Sequence, residues 1–260
     1  MTSEHRVAVV TGAYGGIGKA VALRLSQDGH TVVCADIQVP TQTADEIEAA
    51  GGKALGVKLD VTKAGEWSKL IEQVTSTFGG VDVLVAAAGV VNRISADTVV
   101  DLTEEAWDQV LGVDAKGVWL GMQASIPSMI ARGGGRVVNI SSLAAHKGLK
   151  GLASYTAAKG AVEALTRQAA VEYGRSGILV NAVAPGTIET TINAATLATP
   201  EGGASSAGTT AIGRWGQTPE LAAAVSFLVN EGSFVTGQCY LVDGGWSIAG
   251  GVEYGDSRTM

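Results

Sequence analysis

The chain has 260 residues, 46% of them hydrophobic, which is enough to bury the core of one large α/β domain without calling for a second. A formal net charge of -7 repels a phosphate backbone or an anionic bilayer, so neither nucleic acid nor a membrane surface is an expected partner. The longest apolar stretch, Val83 to Val91, falls well short of the roughly 20 residues of a membrane span, and Met1 to Arg6 lack a signal peptide's pattern, so a soluble cytoplasmic protein is expected.

In chain order, β-rich runs occupy Val7 to Val10, Thr31 to Ala35, Ala54 to Leu59, Val81 to Val85, Arg136 to Ile140, Ile178 to Val183 and Cys239 to Val242, with amphipathic stretches between them. Nearly continuous apolar strands separated by helices predict a parallel sheet covered on both faces. Right-handed crossovers then make it a single doubly wound, Rossmann-type domain with a seven-stranded sheet, and ligands bind beyond the carboxyl ends of its strands. Long helices are expected over Thr103 to Ala131 and Ser154 to Tyr173, and Thr62 or Thr103 is a candidate helix cap. Residues 190–213, rich in Ala, Thr, Ser and Gly around Asn193 to Thr210, read as a loop covering the substrate. Residues 246–260 read as a tail whose Trp246 and Tyr254 need a packing partner, on the same chain or on another subunit. Cys34 and Cys239 sit in apolar runs and read as buried reduced thiols. His5, His30 and His146 are too scattered to suggest a metal site, and no metal is expected.

The glycine turn Thr11 to Gly18 follows the first strand directly and opens a helix. In that context backbone N–H groups at a helix amino terminus approach a pyrophosphate, with Gly12, Gly16 and Gly18 making room. The second strand ends in Asp36, eighteen residues after Gly18, close to where an acid meets the adenosine ribose. Against a 2′-phosphate about 4 Å away, that carboxylate faces repulsion of roughly 4 kcal/mol per charge pair at an effective dielectric of 20. No Arg or Lys lies in Ala13 to Gly16 or at Ile37 and Gln38 to offset it, so NAD is expected over NADP.

Tyr155 and Lys159 are four residues apart and share one helix face. An ammonium that close to a phenol favours the phenolate and makes Tyr155 a candidate general acid and base near neutral pH. Ser142 stands thirteen residues upstream at the end of a strand.

With these motifs the chain resembles the compact single-domain branch of the short-chain dehydrogenase/reductase family from about Val7 to Gly245. Asp60 and Val61 resemble the family's adenine contact. Asn181 to Gly186, with Ile188 and Thr190, resembles the segment that holds the carboxamide and phosphates. The resemblance implies that Tyr155 exchanges a proton with the substrate oxygen, that Lys159 acidifies Tyr155 and binds the nicotinamide ribose, and that Ser142 rather than Ser141 bonds the substrate oxygen. It places Gly12, Tyr14, Gly16, Ile17, Gly18, Asp36, Asp60, Val61, Ala87, Gly89, Tyr155, Lys159, Pro185, Gly186, Ile188 and Thr190 around the cofactor. Hydride transfer between the nicotinamide and a secondary alcohol or ketone, in a homotetramer, is what the family implies.

Two departures stand out. Ala86 to Gly89 replaces the family's Asn-Asn-Ala-Gly, and Asp114 replaces its catalytic asparagine. An extra carboxylate near Lys159 partly offsets its field, so proton transfer is expected at higher pH than an Asn gives. The expected substrate pocket comprises Ser142, Ala144, His146, Leu149, Tyr155, Thr187 and Ile192, with Val90, Val91, Ile94, Leu143 and Leu152 around them. Its apolar walls suit a hydrophobic secondary alcohol or ketone. A 3-oxoacyl thioester reductase is a second reading of the same framework, and an NAD-binding regulator without turnover is a third.

Overall fold

The β-branched runs become strands, and the inner ones bury both of their faces. In the computed structural model, which describes residues 5–190, 193–194, 198–199 and 208–249, they are β1 (Val7–Thr11), β2 (Thr31–Asp36), β3 (Lys53–Lys58), β4 (Val83–Ala86), β5 (Gly135–Ile140), β6 (Ile178–Pro185) and β7 (Cys239–Val242). All seven pair in parallel in the order β3-β2-β1-β4-β5-β6-β7. Every boundary falls within two residues of the sequence expectation.

Alternate residues of the inner strands feed two cores. Ala8 and Val10 of β1 point to one face, where Val21, Ala22 and Leu25 of α1 (Gly16–Gln27) meet Ile47 of α2 (Thr41–Ala49) and Leu221 and Val225 of a helix over Thr218–Asn230. Val7 and Val9 point to the other, against Trp67, Leu70 and Val74 of α3 (Ala64–Phe78) and Met122, Ile126 and Met129 of α5 (Gly117–Ala131). A strand buried on both sides reads as an unbroken apolar run, which is why β1, β4 and β5 were recognisable without alternation.

Two helix expectations change. Between α4 (Glu104–Leu111) and α5 the run widens into a π-helical turn at Gly112–Lys116, so the long helix is continuous but locally underwound, with its hydrogen bonds reaching one residue further. Thr103 does cap α4, accepting the Ala106 N–H. Thr62 does not cap α3; its hydroxyl donates to Asp60 at 2.7 Å, and Lys63 takes the cap position without a side-chain bond.

After β5 comes α6 (Ala153–Tyr173), and the helix over Thr218–Asn230 is α7. The strand order reverses between β1 and β4, and the carboxyl ends of the strands open there into a cleft of about 790 Å³. Among the described residues no helix is long and apolar enough to cross a membrane.

Candidate active site

One end of the cleft is built from backbone. At Gly12 (φ +69°) the chain enters the left-handed region that favours glycine, and a Cβ there would also fall 2.8 Å from the Ala87 carbonyl oxygen. A Cβ on Gly18 would fall 2.2 Å from the Gly12 oxygen, so the turn closes only with glycine at both places. Helix α1 begins at Gly16 behind an extended Gly15 that offers no side-chain cap, and a Cβ on Gly15 would meet nothing within 4 Å. The N–H groups of the first turn are thus without a capping side chain at the cleft, with the positive end of the helix behind them. That cradle fits an anionic pyrophosphate.

Asp36, at the end of β2, accepts the Tyr14 N–H at 3.1 Å and lines the same cleft. Across from it, Asp60 Oδ1 accepts both the N–H and the hydroxyl of Thr62. Partial burial opposes ionisation of Asp60, but those two bonds outweigh it and hold its carboxyl below the ordinary range. Thr11, at the end of β1, holds the segment after β4: its hydroxyl oxygen accepts the N–H groups of Ala87 and Ala88, both at 3.1 Å. Ala87, Gly89, Val61, Ile17, Pro185, Gly186, Ile188 and Thr190 all line the cleft.

The other end is built from side chains. Ser142 leaves β5 in extended conformation, and its oxygen accepts the Ala144 N–H at 3.2 Å, starting a short 3₁₀ turn over Leu143–Ala145. Its neighbour Ser141 instead donates to Glu163 at 2.9 Å, which separates the two serines by direction as the sequence separated them by distance. Tyr155 lines the cleft from the first turn of α6. No residue of α6 caps that helix. Asp97, nearly buried and far back in the chain, accepts the Ser154 N–H at 2.8 Å and the Ser154 hydroxyl at 2.9 Å, fixing the residue next to Tyr155.

Lys159 lies below, almost wholly buried, its Nζ 5.4 Å from the centre of the Tyr155 ring and donating to the Ile140 carbonyl at 3.1 Å. Its counter-charge is Asp114, delivered by the π-helical turn: Oδ2 is 3.0 Å from Nζ and Oδ1 accepts the Val90 N–H at 2.8 Å. Burial pushes the Asp114 carboxyl up, against the pull of Lys159 and the Val90 N–H. Burial also opposes the Lys159 charge, yet Asp114 and Tyr155 more than offset it and hold the ammonium above its ordinary range. These directions favour opposite states of one pair. The ionised pair is the better account, because neutralising either member leaves the other buried charge alone.

Most expected pocket residues take their places: Ser142, Leu149, Thr187, Val90, Val91, Leu143 and Leu152 line the cleft. Three do not. Ala144 is buried in the 3₁₀ turn, Ile94 is exposed outside the cleft, and His146 turns away from it to put Nε2 2.7 Å from Glu163 Oε1. Ile192 lies outside the described residues, as do Tyr254 and much of 190–213. Two aromatic wall residues were missed. Trp215 reaches the cleft from the turn before α7, and Trp246 of the tail packs there on its own chain, with the Lys147 ammonium 5.9 Å from its ring centre.

The chain is similar to known proteins along almost its whole length. A family model described as Enoyl-(Acyl carrier protein) reductase matches residues 12–247. The cyclohexanol dehydrogenase of Acinetobacter sp. (strain SE19) is 37% identical, covering 94% of this chain and 96% of the relative. The cis-4-hydroxycyclohexanecarboxylate dehydrogenase of Sinomonas cyclohexanicum is 40% identical over 94% of this chain and 97% of its own. Among solved structures, a putative 2-deoxy-d-gluconate 3-dehydrogenase from Agrobacterium tumefaciens with bound NADP superposes with a TM-score of 0.86 at 37% identity, covering 94% of this chain and 98% of that one.

Proposed function

This chain belongs to the short-chain dehydrogenase/reductase family, and we propose from that premise that it interconverts a hydrophobic secondary alcohol and its ketone using NAD(H). The observation that carries the reading is Tyr155 on the cleft wall with the buried Lys159 cation beneath its ring, and Ser142 lining the same cleft. The nicotinamide, when bound, supplies or takes up the hydride. In the oxidative direction Tyr155 accepts the alcohol proton, Ser142 donates a hydrogen bond to the substrate oxygen, and Lys159 favours the charged phenol. Lys159 is paired in charge with Asp114 and donates to the Ile140 carbonyl, which leaves a donor for the nicotinamide ribose.

NAD is the cofactor that fits Asp36. Among the described residues no Lys or Arg lines the cleft beside Asp36, so a 2′-phosphate at that carboxylate meets uncompensated repulsion. Val90, Val91, Leu149, Leu152 and Trp246 make the substrate walls apolar, and the two relatives named for ring alcohols support a cyclohexanol-like substrate. A 37% identical relative from Thermotoga maritima, described as a 3-oxoacyl-[acyl-carrier-protein] reductase, keeps a 3-oxoacyl thioester reductase as the second reading. The exposed Val99, Val100 and Trp107 around α4 support a subunit contact, and the homotetramer that the family resemblance implies is a mass that light scattering measures.

The test is the absorbance of reduced nicotinamide with NAD and a panel of cyclic, aromatic and aliphatic secondary alcohols. Cyclic alcohols should turn over, with NAD preferred to NADP. Faster reduction of a 3-oxoacyl thioester with NADPH selects the second reading; tight NAD binding with no turnover of any substrate selects a regulator.

A further inference from the structure

Outside the cleft, three metal-ligating side chains converge from three separate elements. His146 closes the turn that Ser142 begins, Glu163 stands one helical turn beyond Lys159 on α6, and Cys239 opens β7. Glu163 Oε1 is 2.7 Å from His146 Nε2 and 3.2 Å from Cys239 Sγ, and one ligand atom from each residue lies within 4.8 Å of the other two. We propose that His146, Glu163 and Cys239 form a binding site for a zinc ion or a similar thiophilic divalent cation, apart from the catalytic cleft.

The chemistry and the spacing agree. Imidazole, carboxylate and thiolate are the donors zinc takes, and ligands at 2.0–2.3 Å from a tetrahedral ion stand roughly 3.4 Å from one another. Seating the ion asks each side chain to move by no more than about an ångström. One thiolate and one carboxylate also balance a divalent charge. The cluster without an ion is crowded: His146 Nε2, the Ser141 hydroxyl and the Cys239 thiol all converge on Glu163 Oε1, an oxygen with two lone pairs. An ion relieves that crowding by taking the place of the shared oxygen contacts, with Ser141 kept as the outer partner that orients the carboxylate. The nearby cation, Arg167, sits 4.0 Å from the other oxygen, Oε2, and leaves Oε1 to the metal. His146 is the most exposed of the three, so water reaches the fourth position. Such an ion ties the Ser142 turn, α6 and β7 together without touching substrate.

The full chain, stripped with a chelator and free of cofactor, is titrated with zinc by calorimetry and with cobalt by absorption spectroscopy. One zinc ion per chain should bind with micromolar or tighter affinity and raise Tm by several degrees at about a hundredfold excess over Kd. Cobalt should give a thiolate-to-cobalt charge-transfer band; the other cysteine, Cys34, is buried within β2, so the band reports Cys239. Cys239→Ser should remove the band and weaken zinc binding by at least roughly tenfold, and Glu163→Gln should weaken it comparably. A wild-type protein without the cobalt band, or unchanged zinc affinity in Cys239→Ser, overturns the proposal and leaves a hydrogen-bonded junction only. These readouts need neither alcohol nor NAD, so they stand or fall separately from the dehydrogenase reading.

Discussion

The two ends of the cleft are made by different means. The end around Gly12 to Gly18 is a matter of backbone: short-range turns, an uncapped helix terminus, and one strand-end acid at a fixed distance along the chain. The end around Tyr155 is a matter of buried charge gathered from far apart, with Asp97 on Ser154, Asp114 on Lys159 and Glu163 under Ser141. A backbone cradle tolerates changes in its neighbours, because its donors are fixed by the helix. A network of buried ions does not, since each member removed leaves another unpaired. Substitutions at the second end should therefore disturb catalysis and stability together, whereas those at the first should change which cofactor binds.

The largest effect is expected at Tyr155. Tyr155→Phe keeps the ring and removes the proton donor, so kcat should fall by roughly 10²- to 10⁴-fold while the dissociation constant for NAD, measured by fluorescence titration, stays within a few-fold. Full activity in that variant ends the assignment of Tyr155 as acid and base. Next comes Asp36→Asn, which keeps an acceptor for the Tyr14 N–H but removes the charge. Relieving part of the roughly 4 kcal/mol of repulsion should raise the NADP-to-NAD ratio of kcat/KM about a hundredfold. An unchanged ratio means the ribose phosphate never meets this carboxylate.

That difference between the ends also governs what could be read from the chain itself. The glycine turn, Asp36 and the Tyr155–Lys159 pair are local: their spacing is set by a strand pitch or a helical turn, so the order of residues states the geometry. The seven strands were legible for the same reason. Asp97 was not, because its role depends on a loop folding back onto the start of α6, 57 residues later. Nor was Trp215, or the turning of His146 toward Glu163: each depends on which face of a turn meets the sheet. Asp114 was noticed as a departure from the family pattern, but the π-helical turn that aims it at Lys159 has no signature in the order Gly-Val-Asp-Ala-Lys. Thr11, whose hydroxyl oxygen accepts two N–H groups of the segment after β4, has no signature beyond its place at the end of β1.

Asp114→Asn sharpens the comparison at smaller cost. The amide oxygen can still accept the Val90 N–H, so the loop after β4 should keep its place, but Lys159 loses its counter-ion. With the opposing charge gone, the lysine's field falls undiminished on the reacting proton, and the pH at half-maximal alcohol oxidation should move down. The sign is the informative part. A pH–rate profile that overlays the parent's assigns Asp114 to structure alone.

The smallest expected effect belongs to Asp97, and its pattern should be the reverse. Asp97 touches neither the phenol nor the lysine; it holds the Ser154 N–H and hydroxyl, and through them the start of α6. Asp97→Ala leaves those two donors buried without their acceptor, which should cost about 1–2 kcal/mol and lower Tm by several degrees. With Tyr155 less firmly placed, kcat should drop modestly, but the pH–rate profile should stay where it was, because no charge near Lys159 has changed. Thermal melts and pH profiles of the Asp97 and Asp114 variants, taken together, thus separate holding the helix from setting the field. If Asp97→Ala shifts the profile as far as Asp114→Asn does, the two carboxylates belong to one electrostatic unit and the distinction between them is lost.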